Sequence, residues 1–351
     1  MTMALASATI VASCGGVAPN GDPATDGPSS GSTPAATDPQ LAPSPSDSAI
    51  VELGTPWIAY QGGSSGLPWI RLVRPDGSGD HALFTTADTG PQEKPDWSPD
   101  GSRITFRAEA ASGSFGIWVA DADGTDLEQV VACTAPCAWV DDPAWSPDGA
   151  SIAFQQGTAT GSDGIGVGTV EVVDLATGQT RTVVTGAGTE YLYTPRWSPD
   201  GTDIVLEVDR FDSARLDAEV VIESTIGIAD IADPEAVFRP LLPWGQGPTS
   251  PDWRPSDDLI VFTQPATAGA EELFVIDTDG TGMRQVGSFS SAGGRAIQST
   301  WTPDGERILF VIEDVVGVAA NVATVDADGR GLERLPASTV VRTHPRLRPL
   351  P

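Results

Sequence analysis

The sequence predicts an all-β fold: a six-bladed β-propeller of four-stranded antiparallel blades, with the first blade closed by the C-terminal strand. The first observation behind this is a repeated phrase. It runs Trp97-Ser98-Pro99-Asp100-Gly101, Trp145-Ser146-Pro147-Asp148-Gly149, Trp197-Ser198-Pro199-Asp200-Gly201, Trp253-Arg254-Pro255-Ser256-Asp257 and Trp301-Thr302-Pro303-Asp304-Gly305. The tryptophans lie 48, 52, 56 and 48 residues apart, a period that belongs to one copied supersecondary unit. The second is a later phrase in each unit, as in Asp121-Ala122-Asp123-Gly124, Asp277-Thr278-Asp279-Gly280 and Asp326-Ala327-Asp328-Gly329. The third is composition: 39 Gly and 30 Pro are spread along 351 residues, which leaves almost nothing that reads as a helix.

Each element follows from local chemistry. Proline presets φ at the second turn position, Asp caps the turn, and Gly accepts positive φ. Trp-Ser-Pro-Asp-Gly is therefore a hairpin turn between a strand A before it and a strand B after it, such as Ile104-Thr105-Phe106 or Ile308-Leu309-Phe310. Strand C enters the Asp-x-Asp-Gly turn and a short strand D leaves it. Four short antiparallel strands per unit is a propeller blade. Trp97, Trp145, Trp197, Trp253 and Trp301 are expected as structural wedges between blades.

The first set of strands, from Trp57, lacks a strand A of its own. The C-terminal run Thr343-His344-Pro345-Arg346-Leu347 aligns with the strand A pattern and puts Leu347 where Trp belongs. It is expected to supply that strand and remove an exposed edge. Both recurring turns then share one face. The irregular loops share the other, which is the expected binding face.

These phrases resemble the WD40-like repeats of the TolB-like six-bladed propeller family over Trp57 to Pro349. The resemblance implies the propeller fold. For function it leaves several readings open, since the family includes periplasmic scaffold proteins and non-catalytic domains of prolyl-oligopeptidase-type enzymes. No binding residue is carried over from it.

The net charge of −29 disfavours nucleic acid and anionic lipid surfaces as partners. Cys14 follows an apolar run and resembles the lipidation site of a bacterial lipoprotein signal. Met1–Ser13, however, has no basic residue. The expected organisation is a signal segment over 1–14, a disordered Pro/Ser/Thr/Gly-rich tether over 15–49, and the propeller over 50–351. That puts the protein at the extracytoplasmic face of a bacterial cell envelope, with the lipid as its only membrane contact. Cys133 and Cys137 are expected to form a local disulfide in such a compartment, rather than a metal site.

No catalytic constellation emerges. His81 and His344 read as exposed polar positions. Gly62-Gly63-Ser64-Ser65-Gly66 matches a nucleophile elbow but sits in a β blade instead of a strand-to-helix turn. The Asp-x-Asp-Gly phrases lack the rest of a calcium loop. No metal or cofactor is expected. The candidate binding face comprises the aromatics Trp139, Tyr191, Tyr193 and Trp244, placed in D–A loops, with Asp141, Asp142, Arg210 and Arg295 nearby. The preferred reading is a monomeric, non-enzymatic module that binds a protein or small ligand there. The alternatives are a propeller hydrolase or lyase with a channel-mouth site of carboxylates and a single His or Tyr, or an accessory domain of a separate peptidase-like enzyme.

Overall fold

The computed structural model describes residues 54–63, 69–84, 89–158, 168–212, 221–233, 237–266, 270–289, 295–313, 320–338 and 340–350. Cys14, the tether and the loop segments 159–167 and 213–220 lie outside these residues. Among the described residues there are 24 strands and no helix.

The strands come in sets of four. β1 (Ile58–Gly63), β2 (Trp69–Val73) and β3 (His81–Ala82) share a sheet with β24 (Val341–Leu347), which pairs antiparallel with β1. Three further sheets follow in chain order. They are β4 (Gln92–Trp97), β5 (Arg103–Glu109), β6 (Phe115–Asp121), β7 (Glu128–Ala132); β8 (Cys137–Trp145), β9 (Ser151–Thr158), β10 (Gly168–Asp174), β11 (Thr180–Thr185); and β12 (Glu190–Trp197), β13 (Asp203–Phe211), β14 (Val221–Asp230), β15 (Arg239–Pro240).

The eight strands before β24 depart from the expected six separate blades. β16 (Thr249–Trp253), β17 (Leu259–Pro265), β18 (Glu271–Asp277), β19 (Arg284–Gln285), β20 (Arg295–Trp301), β21 (Arg307–Glu313), β22 (Ala320–Asp326) and β23 (Glu333–Arg334) form one continuous sheet. A single parallel bridge, Glu271 to Arg295, joins its two antiparallel halves. The molecule thus has four discrete four-stranded sheets and one eight-stranded sheet. The strand that opens each set lies innermost: β24, β4, β8, β12, β16 and β20 touch in that order and return to β24.

The turn chemistry explains the hairpins. Gly101 N–H donates to Ser98 O at 2.8 Å, and Gly101 sits at φ +67°, which an L side chain adopts only with strain. Asp100 Oδ1 accepts from Ser98 Oγ at 2.7 Å and Ser102 N at 2.9 Å. Asp148, Asp200 and Asp304 repeat the arrangement. The Asp-x-Asp-Gly turns spend their carboxylates the same way: Asp123 and Asp279 each cap the Thr two residues on.

The core lies where faces of neighbouring sheets meet. Trp97, Trp145, Trp253 and Trp301 are at most 7% exposed, whereas Trp197 is only half-buried. Phe106, Phe154, Phe262 and Phe310, at matching positions of β5, β9, β17 and β21, are fully buried. Leu347 packs with Ile58, Tyr60, Val73 and Leu309. Cys133 and Cys137 are disulfide-bonded between β7 and β8.

Candidate functional site

Six residues give the middle of the propeller its character. Lys94, Asp142, Thr194, Ser250, Gln298 and His344 all have φ between +46° and +56°. Each lies three residues before the wedge position of an innermost strand, in Lys94-Pro95-Asp96-Trp97, Asp142-Pro143-Ala144-Trp145, Thr194-Pro195-Arg196-Trp197, Ser250-Pro251-Asp252-Trp253, Gln298-Ser299-Thr300-Trp301 and His344-Pro345-Arg346-Leu347. At each one the pairing register slips by a residue, which is a β-bulge. A non-glycine residue in this region costs about 1–2 kcal/mol, so the strain must be held by its surroundings.

Those surroundings are hydrogen-bonded. Lys94 Nζ meets Asp142 Oδ1 at 3.1 Å. The His344 amide donates to Gln298 Oε1 at 2.8 Å, and Gln298 Nε2 lies 3.1 Å from His344 Nε2. Ser250 N donates to Glu207 Oε2 at 3.0 Å.

A second layer sits two residues further on. In ring order it reads Arg346, Asp96, Ala144, Arg196, Asp252, Thr300: arginine, aspartate and a small residue, twice over. Arg346 Nε pairs with Asp96 Oδ1 at 3.3 Å. Asp96 Oδ2 accepts the Trp145 amide at 2.9 Å, and Asp252 Oδ2 accepts the Trp301 amide at 2.7 Å, each reaching from one innermost strand to the next. The strands carrying Asp96 and Asp252 are three apart around the ring, yet after burial the Asp252 charge is among the causes that raise the Asp96 carboxyl. The side chains therefore converge on a shared centre.

Titration follows from this crowding. Burial, reinforced by Lys94, Arg346 and Arg196, holds His344 well below the usual imidazole value, so it is neutral at pH 7. Burial, with Arg196 alongside, brings Arg346 down to about 10. Burial opposes ionisation of Asp142, but Lys94 and Arg196 outweigh it and keep its carboxyl low. Next to it, burial and the Asp142 charge push Asp141 up to about 6. Burial and then Asp209 push Glu207 well above the carboxylate range, and burial lifts Asp209 to about 6.

The sequence-derived candidates fall partly into this site. Asp141 and Asp142 belong to it. Trp139, Tyr191 and Tyr193 are on strands β8 and β12 rather than in loops, because both strands run several residues further from the wedge tryptophan than β16 does. The Trp139 and Tyr191 rings lie 6.5 Å apart at 15°, and Tyr191 and Tyr193 6.3 Å apart at 21°. Trp139 lies over Gly157, where a side chain would collide with the indole. Tyr191 opposes Asp209 across the strands, and Tyr193 opposes Glu207. The aromatic strip and the proton-holding carboxylates thus share one face.

Arg210 and Trp244 pack on each other, with the guanidinium 3.5 Å from the ring centroid. Arg210 also pairs with Glu190 at 2.9 Å, and Trp244 meets Phe238 edge-on. Arg295, on β20 rather than β8 or β12, pairs with Glu313 at 2.6 Å. His344, read from sequence as an exposed polar position, is a member of the bulge ring. His81 packs edge-on against Trp57 at 5.4 Å.

Sequence reasoning missed Lys94, Asp96, Arg196, Glu207, Asp252, Gln298 and Arg346. For all but Glu207 the signal was present upstream of the five tryptophans and Leu347: a polar residue at the third position back, followed in five of six cases by proline. Among the described residues, no group of three or more His, Cys, Asp or Glu side chains is arranged to hold a metal ion.

A family model described as the TolB beta propeller domain matches residues 109–349. The chain belongs to that family. Among solved structures, the propeller is similar to TolB from Acinetobacter baumannii at 16% identity, covering 86% of this chain and 69% of that one with a TM-score of 0.63. It is similar to a putative TolB from Agrobacterium tumefaciens at 20% identity, covering 80% and 89% with a TM-score of 0.58. It is also similar to an oligogalacturonate lyase in complex with manganese at 18% identity, covering 82% and 76% with a TM-score of 0.54. At these identities the likeness shows the fold alone. No curated protein matches the chain by sequence.

Proposed function

We propose that the chain is a non-enzymatic binding or scaffold module of the bacterial cell envelope, tethered through 15–49 to a lipid on Cys14. In this reading the propeller has six blades. The eight-stranded sheet counts as two blades, and β24 closes the ring at β1. A protein or small ligand docks at the channel end that carries Trp139, Tyr191 and Tyr193. The aromatic strip carries the proposal: three near-parallel, half-buried rings on adjacent innermost strands offer stiff apolar area at low entropic cost.

The test is cross-linking and co-purification from native envelopes with the wild-type chain and a Trp139→Ala/Tyr193→Ala double variant. Loss of the captured partner in a variant that still melts as wild type supports the reading. Equal capture counts against it. Radiolabelled fatty acid appearing on the wild-type chain but not on Cys14→Ser tests the anchor.

One observation favours a second reading, a hydrolase or lyase. Asp141 beside Asp142, and Glu207 beside Asp209, are carboxylate pairs able to hold a proton near neutral pH, as general acid–base chemistry requires. Turnover of glycans, lactones or peptides that disappears in Glu207→Gln would establish it.

A further inference from the structure

The opposite end of the strands, where the recurring turns lie, carries a different feature. Three wedge tryptophans are capped by an arginine. The guanidinium carbon of Arg348 is 5.5 Å from the Trp97 ring, that of Arg103 is 5.7 Å from Trp145, and that of Arg254 is 5.0 Å from Trp301. Arg348 and Arg254 act alike. Each directly follows an innermost strand, lies over the tryptophan of the next set, and donates Nε–H to the glycine carbonyl closing that set's turn. Arg348 reaches Gly101 O at 2.7 Å and Arg254 reaches Gly305 O at 2.8 Å. The fold therefore builds a slot with an indole face on one wall and a turn carbonyl on the other, and fills it with guanidinium.

Between β8–β11 and β12–β15 the slot has no such filling. The residue equivalent to Arg348 and Arg254 is Ser146, and the residue equivalent to Arg103 is Ser151. No arginine lies over the Trp197 ring among the described residues. Trp253 likewise has no arginine over its ring, yet it is buried, whereas Trp197 is half-buried. A groove of about 740 Å³ opens there, lined by Trp197, Pro147, Pro199, Val172, Ile231 and Gly201. Asp148, Asp174 and Asp200 also line it, and their turn hydrogen bonds hold all three carboxyls below the usual range. Arg181 reaches the groove too, but its Nη1 donates to Ile231 O at 3.0 Å.

We propose that this groove is a docking slot for an arginine side chain of a partner protein, stacked on Trp197 and donating to the Gly201 carbonyl, with Asp148, Asp174 and Asp200 as counter-charge. The intramolecular pairs show the geometry that such a residue takes up. A planar guanidinium can stack and still donate in its own plane, which a lysine ammonium cannot. The net charge of −29 favours a basic partner. The site is independent of the channel-end reading, since Tyr191 and Trp197 stand roughly 20 Å apart along β12.

The experiment titrates the full chain with the blocked tripeptide acetyl-Gly-Arg-Gly-amide and reads the indole N–H resonance of Trp197. The isosteric, uncharged citrulline peptide and the lysine peptide are controls. The arginine peptide is expected to shift Trp197 saturably and to bind about five-fold more tightly than either control. Ser151→Arg, whose native side chain makes no hydrogen bond in the turn, should fill the slot from within and abolish the shift. Ser146→Arg should do the same by the Arg254 route. Equal response to citrulline, or an undiminished shift in a folded Ser151→Arg variant, overturns the proposal. So does concentration-dependent self-association in sedimentation that Ser151→Arg removes, because the occupant would then be a second copy of this chain.

Discussion

Asp252 joins two neighbouring innermost strands, and its removal measures how the centre of the propeller is held. Its Oδ2 accepts from the Trp301 amide and from Thr300 Oγ1, both at 2.7 Å. Each donor residue is only 4% exposed, so water cannot replace the carboxylate in the folded state. Asp252→Ala orphans a buried amide, which costs about 1–3 kcal/mol. The Thr300 hydroxyl keeps a long alternative at Trp301 O, 3.4 Å away, so its lost bond adds about 1 kcal/mol. Arg346 also loses part of its counter-charge. The total comes to about 2–4 kcal/mol. Asp252→Asn keeps an oxygen in place and loses only the charge assistance, so it should cost about half as much. Urea denaturation should rank wild type above Asn above Ala. Hydrogen exchange in the Ala variant should show the Trp301 amide losing protection before the amides of β5 across the ring. Coincident urea midpoints, or a Trp301 amide as protected in the Ala variant as in wild type, would refute this account.

Asp209 carries a pH prediction. Its folded carboxyl titrates at about 6 because burial raises it, against an unfolded value of 3.8. The folded state therefore binds more protons between those values, and stability falls as pH rises through that window. Asp209→Asn should stabilise the chain at pH 8, by at most about 3 kcal/mol, and leave it unchanged at pH 3, as read from urea midpoints. His344 works the other way: its folded value lies below 6.5, so its contribution is lost as pH falls from that point, and His344→Gln should flatten this limb. Replacing Cys133 and Cys137 with serine opens a very short loop and should cost no more than about 2 kcal/mol, with faster hydrogen exchange confined to the start of β8. Deleting residues 340–351 exposes the β1 edge and uncovers Trp97 and Gly101, so the whole chain should melt lower; an unchanged melt would show that β24 contributes nothing to closure.

The turn phrases, the strand order and the wedge tryptophans were all legible in the sequence, because each rests on local chemistry. Proline, aspartate and glycine act within five residues of one another, and alternation marks a strand wherever it sits. The pairing of Cys133 with Cys137 was legible for the same reason. Trp139, Tyr191 and Tyr193 were misplaced in loops: nothing local to Trp139 or Tyr191 shows that β8 and β12 extend so far before their tryptophans.

What the chain alone determined is the repeating unit. The tertiary structure decided what the repeats bring together, because packing of neighbouring innermost strands sets Lys94 against Asp142, Arg346 against Asp96 and Gln298 against His344 from sets that are distant or merely consecutive in sequence. Each such residue is an unremarkable polar position within its own repeat. Only that packing removes it from water and surrounds it with other charges, and so sets its protonation and its strain. The slot at Trp197 arises in the same way: Ser151, where the preceding repeat has Arg103, means little until two sheets pack and leave an indole face open.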